Sequence, residues 1–284
     1  PGATAGDDMI RPGVDDVLIN GGSGFDTIMM SGDQADYSLH FSGNAVWIEN
    51  RVAGVGPLQL RNIERIEFDR DVQPFNGDGV SIDLFDGMAQ LEGDAMAALT
   101  ELYIAYFNRA PDAVGLYFWG NQLADGLGLE DIAALFFDQP ETRALYGSMD
   151  DMSAFVTAVY QNVLGRMPDV SGMAFWLDAL DGVSGLAPER FIQAILDGAK
   201  AETGSADDAQ YLANKVALGG HFAVTLGMSD TAAAQTVMQG FDGSNSSLDE
   251  GLAQADALYA DIVSAETDGF LMQLVGLSDP PFAM

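Results

Sequence analysis

The sequence predicts an α+β multidomain chain. A small N-terminal β domain, a remnant parallel β-roll plus short strands, precedes a larger all-α domain with an internal 57-residue helical repeat. Three observations predict it. The texture changes near residue 87, from Gly, Asp and β-branched residues to Ala, Leu and Met at three- and four-residue spacing. A glycine-rich loop pattern around Gly6 recurs around Gly24. A motif with helical spacing that starts at Tyr103 recurs from Tyr160. These place a β domain at 1–87, a duplicated helical domain at 88–204 and a helical tail at 205–284.

Within the first part, Tyr37, Leu39 and Phe41 alternate with Ser38 and His40, and Val46 and Ile48 follow in Ala45–Glu49. Ile63, Ile66 and Phe68 come next, then Val80, Ile82 and Leu84. Such short alternations between Gly, Asn and Asp turns read as strands. Asn76-Gly77-Asp78-Gly79 resembles a calcium loop but lacks the closing Glu of an EF-hand, so it reads as a turn.

The second part carries helix punctuation. Asp138-Gln-Pro-Glu141, Ser205-Ala-Asp-Asp208 and Ser247-Leu-Asp-Glu250 match the capping-box spacing, and Pro188 suits a first helical turn. Eight to ten helices are expected. Tyr103, Arg109, Pro111, Asp112, Gly115, Phe118 and Trp119 recur as Tyr160, Arg166, Pro168, Asp169, Gly172, Phe175 and Trp176, and Leu123/Leu180 and Leu129/Leu186 keep the offset. Nine identities at one offset mark a duplicated unit. Arg109 and Arg166 end one helix, where a cation suits the negative pole and the last carbonyls. Pro111 and Pro168 stop that helix, and Asp112 and Asp169 cap the next. The Phe-Trp pairs then read as buried anchors. Paired Arg, Asp and Trp could build a ligand pocket, but a helix–turn–helix corner made twice explains them more simply.

Charge narrows the function. The chain holds 43 acidic against 11 basic residues, net −32, with only two lysines, Lys200 and Lys215. Phosphate neutralisation is therefore poor, and neither nucleic acid nor anionic membrane is an expected partner. With no cysteine there is no disulfide, thiol nucleophile or thiolate metal site. No run of ~18 apolar residues exists to span a membrane. Most of the charge, −22, lies in residues 88–284, which reads as a solvated helical surface.

Gly21-Gly22-Ser23-Gly24-Phe25-Asp26-Thr27-Ile28 fits the nonapeptide G-G-x-G-x-D-x-U, where U is a large apolar residue. Glycines aim backbone carbonyls inward, Asp adds a carboxylate, and the apolar residue opens a short strand. Calcium takes six to eight hard oxygens, so one loop needs a stacked partner one coil, or two nonapeptides, away. Ala3–Ile10 supplies it: Gly6, Asp8 and Ile10 align with Gly24, Asp26 and Ile28 at that spacing. Gly13-Val14-Asp15-Asp16-Val17 keeps the core pattern out of register. The candidate Ca²⁺-site residues are Asp8 and Asp26 through their carboxylates, and Gly6, Gly21, Ser23 and Gly24 through the loop backbone. An ordinary Gly-Asp turn is the competing reading.

Together these residues resemble the end of a secreted RTX-type calcium-binding protein of Gram-negative bacteria: the nonapeptide, then Ser31-Gly-Asp-Gln-Ala-Asp-Tyr37, then Leu60-Arg-Asn-Ile-Glu-Arg-Ile-Glu-Phe68. The duplicated R-x-P-D-x-x-G-x-x-x-W unit is similar to an uncharacterised helical domain found after such repeats and in surface-layer-type proteins, distantly like the phycobilisome linker fold. The resemblance implies export by a type I system with an uncleaved C-terminal signal. Residues 216–284 lack Lys and Arg and include the apolar Phe270–Leu277, which suits that role.

Catalytic signatures are missing: no P-loop, G-x-S-x-G, H-E-x-x-H or dinucleotide fingerprint occurs. His40 and His221 lie in different domains, and His40 falls on the strand face opposite Tyr37, Leu39 and Phe41. Clusters such as Asp150-Asp151 and Asp207-Asp208 read as caps and solvated faces. The expected function is a non-catalytic extracellular calcium-binding module for cell-surface adhesion, surface-layer-type self-assembly or protein docking. Its expected partners are calcium ions and a second copy, another surface protein or a glycan. The alternative is the C-terminal secretion and stabilisation region of a larger extracellular hydrolase.

Overall fold

The computed structural model describes residues 4–42, 45–52, 55–69, 79–147, 151–181, 185–264 and 273–275. Strands come first. β1 (Met9–Ile10), β3 (Thr27–Met30), β7 (Arg65–Phe68) and β8 (Val80–Ser81) form one sheet in that order, with β1, β3 and β7 parallel. The second sheet runs β2 (Leu18–Asn20), β6 (Val55–Arg61), β5 (Ala45–Asn50), β4 (Tyr37–Ser42) and β9 (Gln273–Val275). The chain passes from β1 to β2 to β3, alternating sheets, as a β-roll does. An antiparallel meander, β4–β5–β6, then enters the second sheet before β7 resumes the first.

Alternation explains the strand faces. Tyr37, Leu39 and Phe41 are buried, and His40 stands on the other face, where Nε2 meets Glu49 at 2.9 Å. One strand was not anticipated and two expectations change here. β6 escapes strand patterning because Gly56 and Pro57 interrupt it; Pro57 is tolerated because the ladder slips there, Ile48 facing Leu58 but Asn50 facing Val55. The expected strand through Ile82 and Leu84 stops at Ser81 and turns into a 3₁₀ segment, Ile82–Phe85, that buries Ile82 and Phe85 together. The tail expected to be helical also contributes β9, paired parallel to β4. The rest of Phe270–Leu277, and Asn76–Asp78, lie outside the described residues.

Ten α-helices follow among the described residues. The first copy of the repeat comprises α1 (Gly93–Phe107), α2 (Ala113–Ala124), α3 (Leu129–Phe137) and α4 (Pro140–Tyr146). The second comprises α5 (Met152–Leu164), α6 (Val170–Leu180), α7 (Pro188–Lys200) and the start of α8 (Ala206–Gly220). α9 (Thr231–Met238) and α10 (Asn245–Ser264) complete the set. A π-helical turn, His221–Thr225, continues α8. α1 is the central helix, packed on α2, α3, α4, α5, α7 and α8.

Caps explain the helix starts. Asp112, Asp151, Asp169 and Asp230 accept N–H bonds from Gly115, Ala154, Gly172 and Ala233. Ser205 caps α8 as expected, at 3.4 Å from the Asp208 amide. Two expected boxes differ. Asp138 ends α3, and α4 starts instead on Pro140, while α10 begins before Ser247, whose amide donates to Ser244 Oγ at 3.1 Å.

The strand and helical parts share one apolar core, which runs from Ile10 to Val224. Phe41, Phe85 and Tyr117 join them as a ring series at 6.0 and 5.3 Å. A second cluster gathers Leu218, Phe222, Met228, Val237 and Leu248 beneath α9 and α10. Among the described residues no helix is long and apolar enough to cross a membrane.

Candidate functional site

The two glycine loops stack at the predicted offset. Met9 pairs with Thr27 and Ile10 with Ile28, and Ile28 is fully buried. Gly24 has φ +137°, and a Cβ there would lie 2.6 Å from the Gly6 carbonyl carbon, so the loops touch only because residue 24 is glycine. Three bonds cross the coil: Phe25 N–H donates to Asp7 Oδ1, Asp8 N–H to Asp26 Oδ1 and Thr27 N–H to Asp8 O, each at 2.8 Å.

Asp26 is the centre of this stack and is 0% exposed. Its N–H donates to Glu64 Oε2 at 2.6 Å, and its carbonyl accepts from the Glu64 and Arg65 amides. One carboxylate oxygen takes the Asp8 amide. The other, Oδ2, is buried with no hydrogen-bond partner. Gly21 packs directly against it, since a Cβ there would fall 2.5 Å from Oδ2 and 2.0 Å from Asn62 O. Burying an unpaired carboxylate oxygen is costly, so this atom calls for a cation or a donor.

Asp8 is joined to Asp26 through its amide; its carboxylate turns to its own loop, where Oδ2 accepts Thr4 N–H and Thr4 Oγ–H at 2.8 Å each. Ser23 and Gly6 are exposed. The out-of-register loop closes on itself, Gly13 N–H donating to Asp16 Oδ2 at 2.6 Å. Sequence reasoning missed Asp7, Asn62 and Glu64. Asn62 and Glu64 fall inside the Leu60–Phe68 segment and Asp7 inside the Ala3–Ile10 repeat, but nothing local marked them as neighbours of Asp26, which directly precedes an earlier strand of the roll. Among the described residues no three His, Cys, Asp or Glu side chains converge to hold a metal. The oxygens placed together here are therefore Asp26 Oδ2 and the Asn62 carbonyl, which flank the same Gly21 position.

The duplicated corner is a structural device. α1 ends on Asn108 at φ +49° and α5 on its equivalent, Gly165, at φ +68°. Each following arginine bonds one carbonyl, of Ala110 or Met167, and then closes on an acid in the first turn of the helix three further along. Arg109 grips Glu141 of α4 at 2.8 and 3.3 Å, and Arg166 grips Asp208 of α8 at 2.7 Å twice. Burial pushes the Arg109 guanidinium down, but Glu141 and Asp112 hold it above its ordinary value. Arg166 is raised chiefly by its bond to Asp208.

The repeated glycine lets a helix approach the repeated tyrosine. A Cβ on Gly115 would meet the Tyr103 hydroxyl at 2.1 Å, and one on Gly172 the Tyr160 hydroxyl at 3.2 Å. The tryptophans are half-buried, packed on Phe136 and Phe191 at 5.2 Å. Their neighbours contradict the buried-anchor expectation: Phe118 is 50% and Phe175 63% exposed, because each lies outward over the adjoining indole.

Neither histidine forms a relay. His40 Nε2 faces both Ser38 and Glu49, and His221 pairs with Asp256 at 2.8 Å. No curated protein and no solved structure matches the chain. A family model described as a domain of unknown function, DUF4214, matches residues 133–187, from α3 through the second corner to the edge of α7. That segment, with Arg166, Pro168, Asp169, Gly172 and Trp176, is what the chain has in common with a known family.

Proposed function

We propose that the chain is a non-catalytic extracellular calcium-binding module of the RTX type, serving surface adhesion, surface-layer-type assembly or protein docking. The observation that carries it is the buried, unpartnered Asp26 Oδ2 where the Gly6 and Gly24 loops meet. Calcium would supply the missing positive charge. Asp26 would hold it with backbone oxygens of the Gly21 and Gly24 loops and water, and Asp8 would join only by releasing Thr4. One carboxylate against a demand for six to eight oxygens implies weak binding, on the order of 10⁻⁴ to 10⁻³ M, which matches an exterior rich in calcium.

Within this reading residues 1–87 are the calcium module, 88–204 the docking module and 205–284 the export segment. The net charge of −32 suits a solvated protein outside the cell. The paired histidines and the lack of catalytic motifs favour a binding role over an enzymatic one. Thermal melts in calcium and in EDTA test it: calcium should raise the melting temperature of the native chain and leave Asp26→Asn unmoved. No shift in the native chain at millimolar calcium removes the calcium reading.

A further inference from the structure

The strand β8 gives way at Ser81 to the 3₁₀ segment Ile82–Phe85, and a cavity of about 650 Å³ opens there against β5 and β6. That volume lies within the ~300–1,000 Å³ of small-molecule sites. One side is apolar, formed by Val46, Leu60 and Ile82, with the half-exposed Phe25 beside them. The other side is charged: Arg61, Glu64, Asp83 and Asp86 all line it.

Arg61 is the anomaly. It has no side-chain partner among the described residues, in a chain with 43 acids. Every other described arginine bonds a carboxylate or, for Arg51, a carbonyl. Three acids share its cavity, yet none of them closes an ion pair with it. Asp83 takes the Ser81 hydroxyl and Glu64 the Asp26 N–H, while the Asp86 carboxylate accepts no hydrogen bond among the described residues. Burial, and after it the charge of Asp83, raises the Asp86 carboxyl above its ordinary value, so a cation beside it relieves both.

These charges select a ligand. The acids do not converge to hold a metal ion, so a point charge fits them poorly. A neutral ligand would leave both Arg61 and Asp86 without a countercharge. A guanidinium fork matches a carboxylate through two parallel bonds. Three acids against one arginine call for two separated cations on the same molecule as that carboxylate. Arg65 does not alter the count, because it lies over the Phe25 ring at 4.7 Å and is paired with Glu67 at 3.8 Å.

We infer that this cavity binds a free basic amino acid. Its α-carboxylate meets Arg61, its α-ammonium and side-chain cation are shared among Glu64, Asp83 and Asp86, and its methylenes lie on Leu60 and Ile82. The site goes beyond the calcium reading and needs no ion.

Titration of the native chain in EDTA with L-arginine and with agmatine, which lacks the carboxylate, tests it. A chain of net −32 attracts any cation, and agmatine carries the greater positive charge, so unspecific attraction ranks agmatine first. The cavity should rank L-arginine first, by about tenfold. Arg61→Gln should erase that preference by weakening L-arginine alone, and Asp86→Asn should weaken both ligands, each by about fivefold. Both residues are exposed at the rim, and unchanged melting temperatures confirm that the variants fold. No binding of L-arginine at about 10 mM, agmatine bound as tightly as L-arginine, an Arg61→Gln chain that keeps the preference, or binding that requires calcium overturns the inference. L-arginine bound in EDTA by a chain whose melting calcium does not move would sustain this site and remove the calcium reading.

Discussion

Replacing Arg109 with Met tests whether the repeated motif builds a corner or a pocket. Arg109 has 7% of its side chain exposed, bonds Glu141 twice and Asp112 at 3.2 Å, and lies 5.7 and 5.4 Å over the Tyr103 and Phe107 rings. Met keeps the apolar stem and removes the charge. Breaking one partner from a buried pair costs ~3–5 kcal/mol. Glu141 is 38% exposed at the side chain and regains water, so the low end, about 3 kcal/mol, is expected. Arg166→Met should cost about 2 kcal/mol, because Arg166 already meets solvent while Asp208, 7% exposed, is left behind at a helix N-terminus that partly compensates it. Arg190→Met breaks a pair that is 65% exposed on both sides and should stay within about 0.5 kcal/mol. Urea denaturation followed by circular dichroism at constant slope reads all three. An Arg109 variant within ~1 kcal/mol of the native chain, or ranked below Arg190→Met, would refute the corner and favour a ligand-facing arginine.

Two further outcomes follow from the same geometry. Gly115→Ala should destabilise by about 2 kcal/mol, because its Cβ runs into the buried Tyr103 hydroxyl, whereas Gly172→Ala, with 3.2 Å of room, should change stability by under about 1 kcal/mol; urea midpoints of the pair decide it. Lys215, 3% exposed and held by Asn162 O and Asn108 Oδ1, has its pKa pushed down to about 8 by burial. The folded chain then loses that proton near pH 8 and the unfolded chain near ~10.4, so the unfolded state binds more protons between them and stability rises over that window, by up to ~3 kcal/mol. Lys215→Met should flatten the rise and add stability at pH 7, as measured by urea midpoints at pH 7, 8, 9 and 10.

Local rules carried as far as local physics reaches. The matched spacing of Gly6/Gly24 and Ile10/Ile28 was legible because a parallel coil repeats its own register, and Asp112, Asp169 and Ser205 were legible as caps because a cap acts within a single helical turn. The partners of Arg109 and Arg166 were not, since Glu141 and Asp208 lie on later helices at offsets that differ between the copies. The exposure of Phe118 and Phe175 was hidden for a related reason: helical spacing names a face, but neighbours decide whether anything covers it. At the candidate site the sequence marked Asp26 and the glycine cradle, yet could not tell that Asp8 would turn to Thr4 or that Glu64 would cross from a later segment.

The central claim is that Asp26 holds a calcium ion. A crystal structure of the native chain grown in millimolar calcium, read by anomalous difference density, tests it most directly. The account predicts a calcium peak ~2.3–2.6 Å from Asp26 Oδ2, absent from Asp26→Asn crystals grown alike. Well-ordered loops at Gly6 and Gly24 with no ion on Asp26 would contradict it.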